Sequence, residues 1–290
     1  MKTRIISGIV MGAVVAAVLV LGFNVSPYFI TVFVALAAAV GSYELIGNCG
    51  GLKNKLALIG SAVYTALMVV ALDGNLKSWA FNKLLSPHTN DFVAEVLSYW
   101  GFVPYMLSAI YFVFAVFVLL KKHKDFDLAK VALFTTFPII LSYAFSTLCG
   151  VINRENGIYY LLLLFNFSSV CDMGAYFVGV TCGKHKLCPE ISPKKTVEGA
   201  LGGIVSSIVV GLILVFAFGH TEKLLGTVLL TVPLCIIGMA GDLFASIIKR
   251  RAGIKDYGTL IPGHGGVLDR VDSILLIAPV LNIFVTLGVL

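Results

Sequence analysis

The C-terminal half of the chain contains one dense polar segment. Between residues 242 and 272 come Asp242, Ser246, Lys249, Arg250, Arg251, Lys255 and Asp256, then Pro262, Gly263, His264, Gly265 and Gly266, and finally Asp269, Arg270 and Asp272. Carboxylates mixed with lysines and arginines suit a phosphorylated substrate bound through a divalent metal. The acids hold the ion and the cations neutralise the remaining phosphate charge. Gly265 and Gly266 would let backbone N–H groups approach an anion closely. His264 alone says little, because a loop histidine is often structural.

Asp242, Ser246 and Lys249 stand at i, i+4 and i+7 and share one helix face. Asp242 also lies inside an apolar run, where an ionised Asp facing lipid costs about 2.5–3.5 kcal/mol. It is therefore expected to face a wet cavity, a cation or a metal. Asp172 sits in another apolar run near Asn166, Ser168, Ser169 and, four residues on, Tyr176. A local hydrogen-bond network between helices would account for it equally well. A second basic element follows at Lys184, Lys186, Lys194 and Lys195, with Thr196 and Glu198 beside it. On its own it reads as a juxtamembrane stretch attracted to anionic headgroups. Cys182, His185 and Cys188 have the spacing of half a zinc site, but no second ligand pair follows, so no metal is expected there.

These residues must be positioned by a very apolar chain. Of 290 residues 59% are apolar and 12% charged, about half the charge usual in a soluble domain. Mean hydropathy is +0.98. So few charges cannot cover so much apolar chain in water, which excludes an ordinary soluble enzyme and a disordered protein. Apolar runs long enough to cross a bilayer occur at 5–22, 28–46, 56–72, 101–120, 131–148, 158–181, 200–219, 224–248 and 273–290. They show no period-2 alternation, so the expected fold is all-α with nine transmembrane helices. The first run, after Lys2 and Arg4, is long for a signal peptide and reads as an uncleaved span.

With nine spans, 17 Lys and Arg fall on one side and four on the other. The positive-inside rule puts the N-terminus and the polar segments 182–199 and 249–272 in the cytoplasm. The long loop at 73–100, with Trp79, Pro87 and Trp100, is expected outside with a short interfacial helix. The whole chain reads as one membrane domain. Helices within 1–150 act as scaffold and possible dimer contacts, 158–272 carries the chemistry, and 273–290 is the final helix.

The segment Ser246-x2-Lys249-Arg250-x4-Lys255-Asp256-x-Gly258-x2-Ile261-Pro262-x-His264-Gly265-Gly266-x2-Asp269-Arg270-x-Asp272 resembles the signature of the phosphatidate cytidylyltransferases, also called CDP-diacylglycerol synthases. Asp172-x-Gly174-Ala175-Tyr176-Phe177 and Ser192-Pro193-Lys194-Lys195-Thr196-x-Glu198-Gly199 are similar to that family as well. The resemblance covers 172–272. Ala245 and Met173 depart from it, standing where members often carry an acidic residue and Thr.

The resemblance implies that CTP and phosphatidic acid give CDP-diacylglycerol and pyrophosphate; the Lys/Arg split puts this at the cytoplasmic face of the inner (plasma) membrane, and the single compact chain reads as bacterial. The resemblance also implies Asp242 and Asp269 as ligands of Mg²⁺, alone or with a second cation such as K⁺. Asp242, Asp269, Lys249 and Asp172 would be the catalytic residues. Substrate would be bound by Ser246, Arg250, Lys255, Asp256, His264, Gly265, Gly266, Arg270 and Asp272, with Lys194, Lys195 and Thr196 closing over the nucleotide or headgroup. The expected partners are CTP, phosphatidic acid, the bilayer and a second copy of the chain, with no nucleic acid. A polyprenol kinase or another lipid-phosphate cytidylyltransferase stays open as an alternative. An ion-coupled transporter would show polar residues or a repeat in both halves, and the chain has neither.

Overall fold

The computed structural model describes residues 2–74, 99–123 and 126–290. The fold is all-α and polytopic. Ten α-helices run through the described residues, and a single short hairpin is the only sheet among them. Among the described residues, eight helical segments are long and apolar enough to span a membrane. Their exposed faces carry large apolar side chains such as Ile9, Leu120, Ile213 and Leu225, as lipid contact requires. Most of the interfacial helix expected around Trp79 and Pro87 lies outside the described residues. Trp100 is within them, and its indole N–H donates to the Ala71 carbonyl at 3.2 Å.

The chain forms two compact units, residues 1–153 with 256–270, and residues 154–255 with 271–290. The first contains α1 (Lys2–Asn24), α2 (Tyr28–Glu44), α3 (Lys55–Leu72), α4 (Val103–Lys121) and α5 (Leu128–Ile152). A π-helical turn, Leu45–Cys49, extends α2. Asn54 and Asp127 cap α3 and α5 by accepting from Leu56 N–H and Lys130 N–H, which satisfies donors that a helix start leaves open. Ile46, Leu58, Ala115, Val118 and Phe134 form a buried core, and Tyr64 stacks on Tyr111 with ring centroids 4.1 Å apart. Segment 256–270, which the sequence grouped with 158–272, belongs to this unit.

The second unit contains α6 (Gly157–Phe165), a π turn (Asn166–Val170) and α7 (Cys171–Cys182), which form one span. Strands β1 (Lys186–Cys188) and β2 (Ser192–Thr196) pair antiparallel, where the sequence suggested only a basic loop. Helices α8 (Val197–Ala217), α9 (Leu224–Arg251) and most of α10 (Leu268–Thr286) follow. Small residues let α7 and α8 approach closely; a Cβ at Gly202 or Gly203 would strike Val178 or Cys171. Helix α10 starts before and stops short of the span expected at 273–290. Its first turns hold Asp269, Arg270 and Asp272, charges that a hydropathy reading assigns to a loop.

Candidate functional site

In the second unit, α9 holds Asp242, Ser246 and Lys249 on one face. Asp242 Oδ2 lies 2.6 Å from Lys195 Nζ, and the two side chains are 32% and 24% exposed. Lys195 gets there because β2 runs directly into α8. The turn between them is fixed by Thr196, whose buried hydroxyl accepts from Gly199 N–H at 3.1 Å. Asp172, on α7, is within electrostatic range of both Lys195 and Asp242. The structure thus brings three of the residues read from sequence within electrostatic range: two carboxylates on different helices, and one ammonium paired with Asp242. Lys249 Nζ is 3.9 Å from Asp272 Oδ2, with both side chains largely buried (12% and 13% exposed).

Other residues from the same motifs hold the frame. Glu198 accepts from the N–H groups of Lys184 and His185 and pairs with His185 Nδ1 at 2.6 Å, tying the hairpin base to α8. Thr196, expected over the substrate, is a buried helix cap. Lys194 is exposed on β2, and Arg250 and Lys255 are exposed at and beyond the end of α9. Arg250 also donates to the Ile254 carbonyl at 3.3 Å. Ala245, the departure from the resemblance, is buried at 6% exposure.

In the first unit, residues 256–267 form a tight loop leading into α10. Ile261 N–H donates to Gly265 O and His264 N–H to Ile261 O, both at 2.9 Å. Gly263 and Gly265 adopt φ of +78° and +87°, in the left-handed region that suits glycine. His264 Nδ1 lies 2.8 Å from Ser7 Oγ, and Ser7 also donates to Pro262 O at 2.8 Å. Asp269 Oδ2 accepts from Tyr257 N–H at 2.7 Å and Gly266 N–H at 2.9 Å. The Gly266 N–H, expected to face an anion, is therefore turned to a carboxylate of the chain itself. Asp256 and Arg270 are exposed.

Sequence reasoning assigned no role to Glu44, Asn48 or Ser7. Glu44 did leave a signal, as the one ionisable residue inside an N-terminal span. It is 5% exposed and accepts from the N–H groups of Val267 and Leu268, both at 3.1 Å.

A divalent cation can be tested against these donors. Among the described residues no group of three or more His, Cys, Asp or Glu side chains could enclose one. Mg²⁺ does not need such a cage. It commonly binds one or two carboxylates and completes its shell with water and substrate phosphate. Asp242 and Asp172, already sharing one lysine's positive charge, are hard oxygen donors that fit this pattern. A cation on Asp269 would share that carboxylate with two N–H groups.

The sequence model of the cytidylyltransferase family matches residues 2–288. The chain belongs to the cytidylyltransferase family. Phosphatidate cytidylyltransferases of Staphylococcus haemolyticus (strain JCSC1435) and Staphylococcus saprophyticus subsp. saprophyticus are each 44% identical to it over 130 residues, 45% of this chain and 50% of theirs. That of Staphylococcus aureus (strain COL) is 42% identical over the same length and shares. The match thus spans about half the length of these curated relatives. Family membership extends across both units, including the N-terminal helices, which the motif resemblance did not reach.

Proposed function

We propose that this membrane protein transfers the cytidylyl group of CTP to phosphatidic acid, releasing pyrophosphate, with its active site toward the cytoplasm and the chain working as a homodimer. The observation that carries the reading is the 42–45% identity to phosphatidate cytidylyltransferases within a family match spanning nearly the whole chain. The charge pattern around Asp242, Lys195 and Asp172 supports it.

In this reading an oxygen of the phosphatidate phosphate forms a bond to the α-phosphorus of CTP. The bond from that phosphorus to the bridging oxygen breaks, and pyrophosphate leaves with the electron pair. The lipid phosphate is already anionic at neutral pH, so the protein need not supply a strong base. The barrier lies in bringing polyanions together and stabilising the leaving charge, which positioning and fixed cations lower. When bound, Mg²⁺ would supply charge neutralisation and polarisation at the phosphates.

Asp242 in its unit and Asp269 in its own would each offer a carboxylate to a cation, and Asp172 would orient a cation, a water or a substrate group. Lys249, Arg250, Lys255 and Arg270 grip phosphate oxygens. Lys195 is held beside Asp242 until substrate phosphate competes for it. Ser246, Asp256, His264, Gly265 and Asp272 shape the substrate environment, while Lys194 offers an exposed cation.

The test is to incubate detergent-purified protein with phosphatidic acid and labelled CTP, with and without Mg²⁺. Metal-dependent formation of a CDP-lipid with release of pyrophosphate is expected. CTP turnover only with a different lipid would move the assignment to a related lipid enzyme. No CTP turnover with any lipid would overturn it.

A further inference from the structure

A carboxylate buried to 5% exposure must be well paired or it destabilises the fold. Glu44, the last residue of α2, finds its partners in the backbone. Oε1 accepts from Val267 N–H and Oε2 from Leu268 N–H, both at 3.1 Å. These donors belong to the start of α10, where N–H groups lack helical acceptors and a negative charge is favoured by the helix dipole. The loop is shaped to admit the carboxylate: a Cβ at Gly258 or at Gly266 would collide with it.

A second contact comes from the same segment. Asn48, within the π turn that follows α2, donates its amide N–H to the Tyr257 carbonyl. Glu44 and Asn48 therefore hold the loop at its exit and its entry. Between those points the loop turns two N–H groups, from Tyr257 and Gly266, onto Asp269 Oδ2.

We propose that Glu44 is a positioning residue: by anchoring the start of α10 it fixes the Asp269 carboxylate without touching substrate. The inference rests on the reading of Asp269 as part of the transfer machinery.

The test uses the full-length protein in detergent, comparing wild type with Glu44→Gln and Glu44→Asp. The amide of Gln would face one of the two N–H groups with a donor, and Asp would keep the charge at shorter reach. Glu44→Gln should lower kcat at saturating CTP and phosphatidic acid by about 10–100-fold, the scale of a misplacement near 1 Å. KM for CTP should stay within about two-fold, since Glu44 bonds to backbone and not to substrate. Glu44→Asp should recover part of kcat. Gly258→Ala should impair the wild-type background yet add little in a Glu44→Ala background, where its collision partner is gone.

Hydrogen exchange provides the readout independent of activity. Amides of Val267 and Leu268, and also those of Tyr257 and Gly266, should exchange faster in Glu44→Gln. Wild-type exchange at Tyr257 and Gly266 in that variant would overturn the proposal, as would a lowered melting temperature with unchanged kcat. If wild type proves inactive on lipid phosphates, the functional reading fails, and exchange at Tyr257 and Gly266 still decides whether Glu44 positions Asp269.

Discussion

Replacing Thr196 separates two roles for one hydroxyl. The motif resemblance puts Thr196 over the substrate, whereas the fold buries it at 5% exposure as the cap of α8. Its side chain sits against Gly179, Gly183 and Gly199, whose missing Cβ atoms make the room it fills. Its oxygen accepts from Gly199 N–H at 3.1 Å, and Gly199 is itself buried. Thr196→Ser and Thr196→Ala both lose the methyl group, so the difference between them isolates the hydroxyl. Losing an N-cap acceptor costs about 1 kcal/mol. The donor left behind is buried, which places the cost toward the upper part of the usual range of about 0.5–2 kcal/mol. At roughly 2–4 °C per kcal/mol for a large domain, a cost of about 1–2 kcal/mol means that Thr196→Ala should melt about 2–8 °C below Thr196→Ser. Thermal unfolding in detergent measures this, with KM for CTP determined on the same samples. The cap argument expects a melting difference with similar KM values. Equal melting temperatures with a raised KM in Thr196→Ala alone would refute it and return the hydroxyl to the substrate.

Other variants test other parts of the structure. Asp242→Asn removes the charge paired with Lys195 and should lower turnover by at least about 100-fold while the protein elutes and melts as a folded species; near-normal turnover would remove Asp242 from the proposed machinery. Gly265→Ala forces a side chain into a positive-φ position and toward Asp269 Oδ2. It should destabilise by about 1–2 kcal/mol, seen as a lower melting temperature, and also reduce turnover. Ser7→Ala removes the hydroxyl that joins His264 Nδ1 to Pro262 O and should speed proteolysis or amide exchange in the 261–265 loop. Chelation with EDTA should stop turnover and excess Mg²⁺ restore it; full activity in EDTA would exclude the proposed cation.

The apolar runs located the helices because in lipid the backbone must satisfy itself within each span, and long apolar stretches have few other structures open to them. The same reasoning misplaced the start of α10. Asp269, Arg270 and Asp272 look like loop residues until Glu44 is seen capping the turn that carries them. Nothing in local sequence could reveal that cap, since Glu44 and Leu268 are 224 positions apart. The β1–β2 hairpin was equally hidden: its strands are short and polar, with Pro193 in the second. Spacing along α9 correctly put Asp242, Ser246 and Lys249 on one face, because one helix is a local object. The pairing of Asp242 with Lys195 depends on how the hairpin enters α8, which spacing does not encode.

The π turns at Leu45–Cys49 and Asn166–Val170 have a consequence for chain length. Each is a stretch of wider winding within a longer helical segment, equivalent to one residue inserted into an α-helix. Residues on either side are thus out of phase by about 100°, the rotation of one α-helical residue. Deleting a single residue from 45–49 would let that segment wind as ordinary α-helix without breaking it. The apolar stripe of α2 and the residues beyond the turn would both keep their facing, because the wider winding already absorbs the extra residue. A relative one residue shorter at this point would therefore aim its polar end the same way, with ordinary α-helix in place of the π turn.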